Sequence, residues 1–351
     1  MSRIALLAAI VGLSLGGCAT QAGYLWKQGG YLLRYSTGTR SVQAMLDDPA
    51  TPPGTLVFLK RVREIKAYAV DAVGLKNNGS YTRYKDIGRD HLVDVVSGAD
   101  AVSFTPYLWS YPFLGKLPYK GFYERPDADA EAARLKKAGW DVLIRPVDAF
   151  STLGFTKDPL YSFMEKYSVF EIASLIIHEQ THATLFLKGQ PDFNEELASF
   201  VGDEGAFEWL RTRFGADSTE YKDAVDQYAD QQTFVSLLSG LSKSLGAVYA
   251  QSITREEKLV RKAKMIEEFN AMLVEKRATL FRTETYRAIG PLALNNAYLS
   301  LYALYTDDIP LLRSYWKQKC GSSLRRFIEA AKALSKHGDV KEQMRKELAA
   351  G

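Results

Sequence analysis

The sequence predicts an α+β fold that is predominantly α-helical, with a small mixed sheet packed on a helix carrying two histidines and a helical C-terminal half. Three observations lead there. Apolar residues recur at three- and four-residue spacings before residue 80 and after residue 158, as the buried stripe of a helix does. Between 80 and 154 the texture changes to short β-rich runs broken by turn residues. With 351 residues, 46% of them hydrophobic and 25% charged, the chain can bury a large core, which excludes disorder and collagen-like repeats.

The first segment, 1–17, is a basic start at Arg3, an apolar run from Ile4 to Leu15, and Gly16-Gly17 directly before Cys18. That is the layout of an export signal, too short to span a membrane. Leu15-Gly16-Gly17-Cys18 resembles the bacterial lipobox, which implies cleavage before Cys18 and lipidation of its thiol. A plain secretory signal or an uncleaved anchor is the other reading. Ala19 rather than Asp follows the cysteine, which by resemblance to Gram-negative sorting implies the outer membrane, facing the periplasm. In a cell with one membrane the same anchor would hold the protein outside.

Segment 18–53 reads as helical and ends at Asp48-Pro49-Ala50-Thr51-Pro52-Pro53-Gly54. Segment 54–165 opens with a helix whose Leu56, Leu59, Val62, Ile65, Tyr68 and Ala69 form one face, followed by the small sheet. Strands are expected at 92–96, 101–104 and 141–147, the last an edge strand or a short one because of Pro146, and a helix at 126–138 closed by Gly139. Segment 166–351 is helical, with helices expected at 168–187, 194–211, 219–250 and 255–281 and three shorter ones after them. Thr254 and Glu257 form a capping box before the fourth of these, and the charge-rich run along it reads as a solvated face.

Net charge excludes one class of partner. Forty-five Lys and Arg against 41 Asp and Glu leave no basic stripe for nucleic acid. The two cysteines, Cys18 and Cys320, are too few for a disulfide framework or a thiolate metal site, so any metal must rest on His, Asp and Glu. No protein partner is identifiable.

One segment carries chemistry: His178-Glu179-Gln180-Thr181-His182. On a helix His178 and His182 lie one turn apart on one face, where two imidazoles can hold a zinc ion with Glu179 beside them as a base. The alternative is a pair of helix histidines satisfied by neighbours. Zinc that activates water needs a third protein ligand and an open position. Asp192, Glu195, Glu196, Asp203, Glu204 and Glu208 follow. If the helix runs about five residues, roughly 7.5 Å, past His182 before Gly189-Gln190-Pro191 turns the chain, the return favours Glu195 or Glu196. Asp192-x-x-Glu195 also fits a capping box that would keep Glu195 for its own helix start.

Phe193-Asn194-Glu195-Glu196 resembles the Asn-Glu segment of gluzincin peptidases, which implies Glu195 as the third ligand. A wider resemblance covers nearly all of the chain after Cys18. It rests on the lipobox, Ser80-Tyr81-x-x-Tyr84, Pro118-Tyr119-Lys120-Gly121-Phe122-Tyr123, Ala149-Phe150-Ser151-Thr152-Leu153-Gly154, the histidine motif, and Leu294-Asn295-Asn296-Ala297 followed by Tyr305 and Pro310. Together these are similar to the bacterial "Putative aminopeptidase" family of envelope lipoproteins. The chain departs from the gluzincin pattern in two places. Ser199 stands where an Asp usually orients a histidine, leaving Asp203 or a backbone carbonyl for that task. The stretch 141–154 offers Asp148 but no Glu to hold a substrate amine.

The resemblance implies a zinc-dependent peptide hydrolase with Glu179 as general base, and Tyr305 as the oxyanion donor that matches the family pattern. Tyr298 and Tyr302 read equally as core packing. His91 reads as a surface-loop histidine and His337 as a helix C-terminal cation. Two other functions stay open: an outer-membrane lipoprotein scaffold with a structural zinc, and a hydrolase of the peptide part of cell-wall material.

Overall fold

The N-terminal apolar stripes become helix α1 (Gln21–Ser36), strand β1 (Arg40–Ser41), helix α2 (Val42–Asp47) and helix α3 (Pro53–Asp71). The computed structural model describes residues 21–111, 115–147, 158–303 and 309–350. Pro53 sits in the first turn of α3, where a missing N–H breaks no hydrogen bond. Leu59, Val62, Ile65 and Ala69 of α3 are buried as their spacing predicts, and Phe58 joins them.

Strands β2 (Arg83–Lys85), β3 (Val93–Asp100), β4 (Trp109–Tyr111), β5 (Gly115–Leu117), β6 (Tyr119–Phe122), β7 (Trp140–Val147) and β8 (Leu160–Tyr161) form three small sheets rather than one. The order β6-β3-β7 is antiparallel throughout, with Asp94 opposite both Phe122 and Pro146. Pro146 therefore lies on an edge strand. The order β1-β2-β8 is mixed, pairing Arg40 antiparallel and Leu160 parallel with Tyr84. Strand β3 is buried almost continuously because its two faces feed different clusters. Val93 and Val95 enter the main core, whereas Val96 packs with Ala128, Ala132 and Leu135 of helix α4 (Arg125–Lys137).

The strand expected at 101–104 is not formed. Asp100 accepts the Val102 N–H at 2.9 Å through its own carboxylate, a local turn that outcompetes a ladder. Strand β3 instead runs through Asp100.

The second half comprises helices α5 (Val169–Thr184), α6 (Pro191–Phe214), α7 (Thr219–Tyr249) and α8 (Arg255–Leu280), then α9 (Glu284–Arg287), α10 (Asn296–Ala303), α11 (Ile309–Cys320), α12 (Leu324–Leu334) and α13 (Val340–Ala349). The short elements after α8 outnumber the three expected. The capping box at Thr254 and Glu257 is present. Leu294-Asn295-Asn296-Ala297 is a packing node: Asn296 donates to the Asp100 and Ser103 carbonyls at 2.8 and 3.0 Å and accepts from the Tyr249 hydroxyl at 2.8 Å. It ties the antiparallel sheet to α7 and α10. The helix with the two histidines, α5, packs chiefly on α6 and α3, while that sheet packs chiefly on α4 and α10.

Candidate metal centre

Helix α5 starts at a Ser168–Glu171 capping box and buries Ile172, Ala173, Ile176 and Ile177 in the main core. The opposite turn of that register points His178 and His182 at α6. What lets the helices approach is glycine. A Cβ on Gly202 would lie 2.9 Å from the Ser174 carbonyl and 3.2 Å from His178 Cβ, and one on Gly205 would lie 3.1 Å from Ile177 Cδ1.

The histidine helix is shorter than its sequence suggests. Helix α5 stops at Thr184, two residues after His182, because Leu185 turns extended, and α6 begins at Pro191. Asn194, almost fully buried, closes the turn by accepting the Leu187 N–H at 2.8 Å and donating to the Leu187 carbonyl at 2.9 Å. Since Gln190 is the N-cap and has no side-chain cap bond, the Asp192–Glu195 capping box does not form. Glu195 is thereby released from helix-start duty.

Its carboxylate faces the histidines. Glu195 Oε1 lies 3.4 Å from His182 Nε2, Oε2 lies 3.6 Å from His178 Nε2, and the two Nε2 atoms are 3.0 Å apart. Three ligands each ~2.0–2.2 Å from a tetrahedral zinc stand roughly 3.3 Å from one another. The donor set therefore fits such an ion with little movement, and His178, His182 and Glu195 could coordinate a metal. Burial, then the adjoining His182 ring, push the His178 imidazole down to about 4, so at neutral pH it offers a lone pair. The hydrogen bond with His182 holds the Glu195 carboxyl below its usual range.

The remaining acids of α6 are engaged elsewhere. Glu196 pairs with Lys341 at 3.0 Å, Glu204 with Arg313 at 2.6 Å, and Asp203 accepts from Ser174 Oγ at 2.7 Å. Asp203 thus braces α5 through Ser174 and not through a histidine ring. His182 Nδ1 is buried and has no hydrogen-bond partner among the described residues. Asp192 is exposed, and the Glu208 charge bears on Tyr68.

Of the other residues singled out, Cys18, Asp148, Tyr305 and the 149–154 motif lie outside the described residues. Tyr298 and Tyr302 pack with Phe234, Leu238 and Leu299 in a second apolar cluster. His91 lies in a loop, 3.3 Å from the buried Asp94 carboxylate. His337 ends a short 3₁₀ turn before Gly338.

Residues 23–348 match the family described as "Putative aminopeptidase". The chain belongs to that family. Neither the curated proteins nor the solved structures provide a match. In this aminopeptidase-family chain Phe186 carried no functional signal in the sequence, and Tyr81 stood out only as part of the Ser80-Tyr81-x-x-Tyr84 motif. Phe186 is 46% exposed with its ring 6.4 Å from that of His182. Tyr81 is buried, and the Glu179 carboxylate is the foremost charge acting on its hydroxyl.

Proposed function

We propose that this family member is a zinc-dependent aminopeptidase of the bacterial envelope. The observation that carries the reading is the convergence of two imidazoles and one carboxylate on a common point, with Glu179 next in sequence to His178 but outside the ligand set. A purely structural site has no need of a carboxylate base beside it.

His178, His182 and Glu195 would hold the ion and leave one position open. When bound, zinc lowers the pKa of a coordinated water toward ~7 and polarises a scissile carbonyl. Glu179 takes the proton of the attacking water and returns it to the leaving amine. Tyr305, assigned by the family pattern, donates to the oxyanion. Lipidated Cys18 anchors the protein to the outer membrane, so its peptide substrates are periplasmic. Cys18→Ala should then release a form that no longer fractionates with membranes, and a native mature chain beginning anywhere but Cys18 rejects the anchor.

The deciding experiment pairs metal analysis with a peptide library, using wild type and Glu179→Gln. Both proteins should hold one zinc per chain, and the variant should be slower by ~10² to 10⁴. His182→Ala should lose the ion, and stoichiometric zinc in that variant rejects the ligand set. Equal cleavage of free and acetylated N-termini would reject the aminopeptidase specificity alone. Zinc in both proteins with no difference on any peptide would make the chain a scaffold.

A further inference from the structure

Helix α1 has two unlike faces. Toward the body, the Tyr24 hydroxyl donates to the Gly121 carbonyl at 2.7 Å, Gln28 accepts the Tyr123 N–H at 3.0 Å, and Lys27 pairs with Asp127 of α4 at 2.6 Å. The Tyr24 ring meets Phe122 edge-on at 5.5 Å, and Tyr31 and Tyr35 each stack on Tyr123 at 5.4 Å. These contacts hold α1 along strand β6, an edge of the antiparallel sheet.

The other face is turned outward. Trp26, Gly29, Gly30 and Arg34 are exposed, and their steps of three, one and four place them on one side of the helix. Trp26, at 71%, is the most exposed large apolar side chain among the described residues. All five tryptophans lie among those residues, and it alone is exposed. Helix α1 contains Lys27 and Arg34 but no Asp or Glu.

What covers that face follows from its place in the chain. Only Ala19 and Thr20 separate Cys18 from Gln21. Three residue steps reach at most ~11 Å. The headgroup layer of a bilayer is itself roughly 5–8 Å deep, so an acylated Cys18 holds the start of α1 at the lipid surface. Trp26 comes five residues after Gln21, ~7.5 Å along the helix. An indole, apolar but for one N–H, and cations with no acid among them suit the boundary between acyl chains and phosphate.

We propose that α1 is a membrane-docking helix: its face of Trp26, Gly29, Gly30 and Arg34 lies on the phospholipid leaflet that holds the acyl chains of Cys18. The proposal rests on the reading of Cys18 as the lipid anchor and goes beyond it. A tether alone leaves the body free to turn, whereas a tether with a docked face orients it over the leaflet. The face needs little affinity of its own, because a short tether raises its local concentration to roughly millimolar.

The test uses the full-length lipidated protein in vesicles of phosphatidylethanolamine and phosphatidylglycerol, with part of the lipid brominated on its acyl chains. Bromine quenches an indole that it touches. Wild type should lose about a fifth of its tryptophan emission, the share of one residue in five, and Trp26→Phe should lose none. The exposed position makes that exchange harmless to the fold. An equal loss in both proteins overturns the proposal, as does no loss in either. A dimer in detergent that Trp26→Ser dissociates would give the face to a second copy and overturn it as well. If the native protein is no more membrane-bound than Cys18→Ala, the anchor reading fails first and takes the proposal with it. Membrane-bound protein whose emission ignores bromine leaves the anchor standing and removes the docked face alone.

Discussion

The helix pairs α5–α6 and α7–α8 are built on opposite principles. The first is drawn together by small residues: Gly202 meets the Ser174 carbonyl and Gly205 meets Ile177, and the Ser174–Asp203 hydrogen bond crosses the seam. The second is held apart and filled by large ones, with Phe234, Leu238, Leu241 and Leu245 of α7 facing Phe269 and Leu273 of α8. A Cβ on Gly240 or Gly246 would meet nothing. A thick apolar seam tolerates adjustment and supplies stability. A thin seam fixes the separation of groups on its two sides to a few tenths of an ångström, which is what converging ligands require.

Leu238→Ala should give the largest change in stability. Leu238 is fully buried, so its truncation should cost ~2–5 kcal/mol, read as a lower melting temperature, while the folded protein keeps its metal stoichiometry. Lost zinc binding in a folded Leu238→Ala protein would show that the two seams are coupled. Gly202→Ala should cost less stability, ~1–3 kcal/mol, because the added methyl overpacks against backbone. It should nonetheless weaken zinc binding, since the helices must part at His178. Titration with a competing chelator separates that outcome from a seam that simply flexes.

The smallest effect concerns pH. Burial raises the Asp203 carboxyl to about 6. A folded value above the unfolded one means the folded state binds more protons between about 4 and about 6, so this group's contribution to stability declines as pH rises through that window. The zinc-free Asp203→Asn protein should lack that decline relative to wild type. Matching pH profiles for the two melting temperatures would contradict the assignment.

Much of this contrast is legible in the chain itself. Leucine and phenylalanine at helical spacing announce the α7–α8 seam, and the four-residue step between His178 and His182 announces convergence on one face. The identity of the third ligand is less so, because Asp192-x-x-Glu195 fits a cap as well as a ligand. Only the helix start at Pro191 and the Asn194 clamp on Leu187 leave the Glu195 side chain free of a capping role. Ser80-Tyr81-x-x-Tyr84 stands out as a motif, but the backbone of Tyr81 could not be read: a left-handed residue is signalled by Gly or Asn, and here long-range bonds from Tyr81 to Asp158 and from Lys66 to Ser80 impose it on a tyrosine. At 101–104 the apolar residues resemble a strand, yet one neighbouring carboxylate bends the chain.

The three side chains that could coordinate a metal differ sharply in their access to water, with Glu195 62% exposed, His178 21% and His182 3%. An arriving ion would exchange its first water for the carboxylate and only then reach the imidazoles behind it, and a departing ion would touch the carboxylate last. Glu195 would thereby govern traffic at the mouth of the site, whereas the histidines would set how long an ion stays.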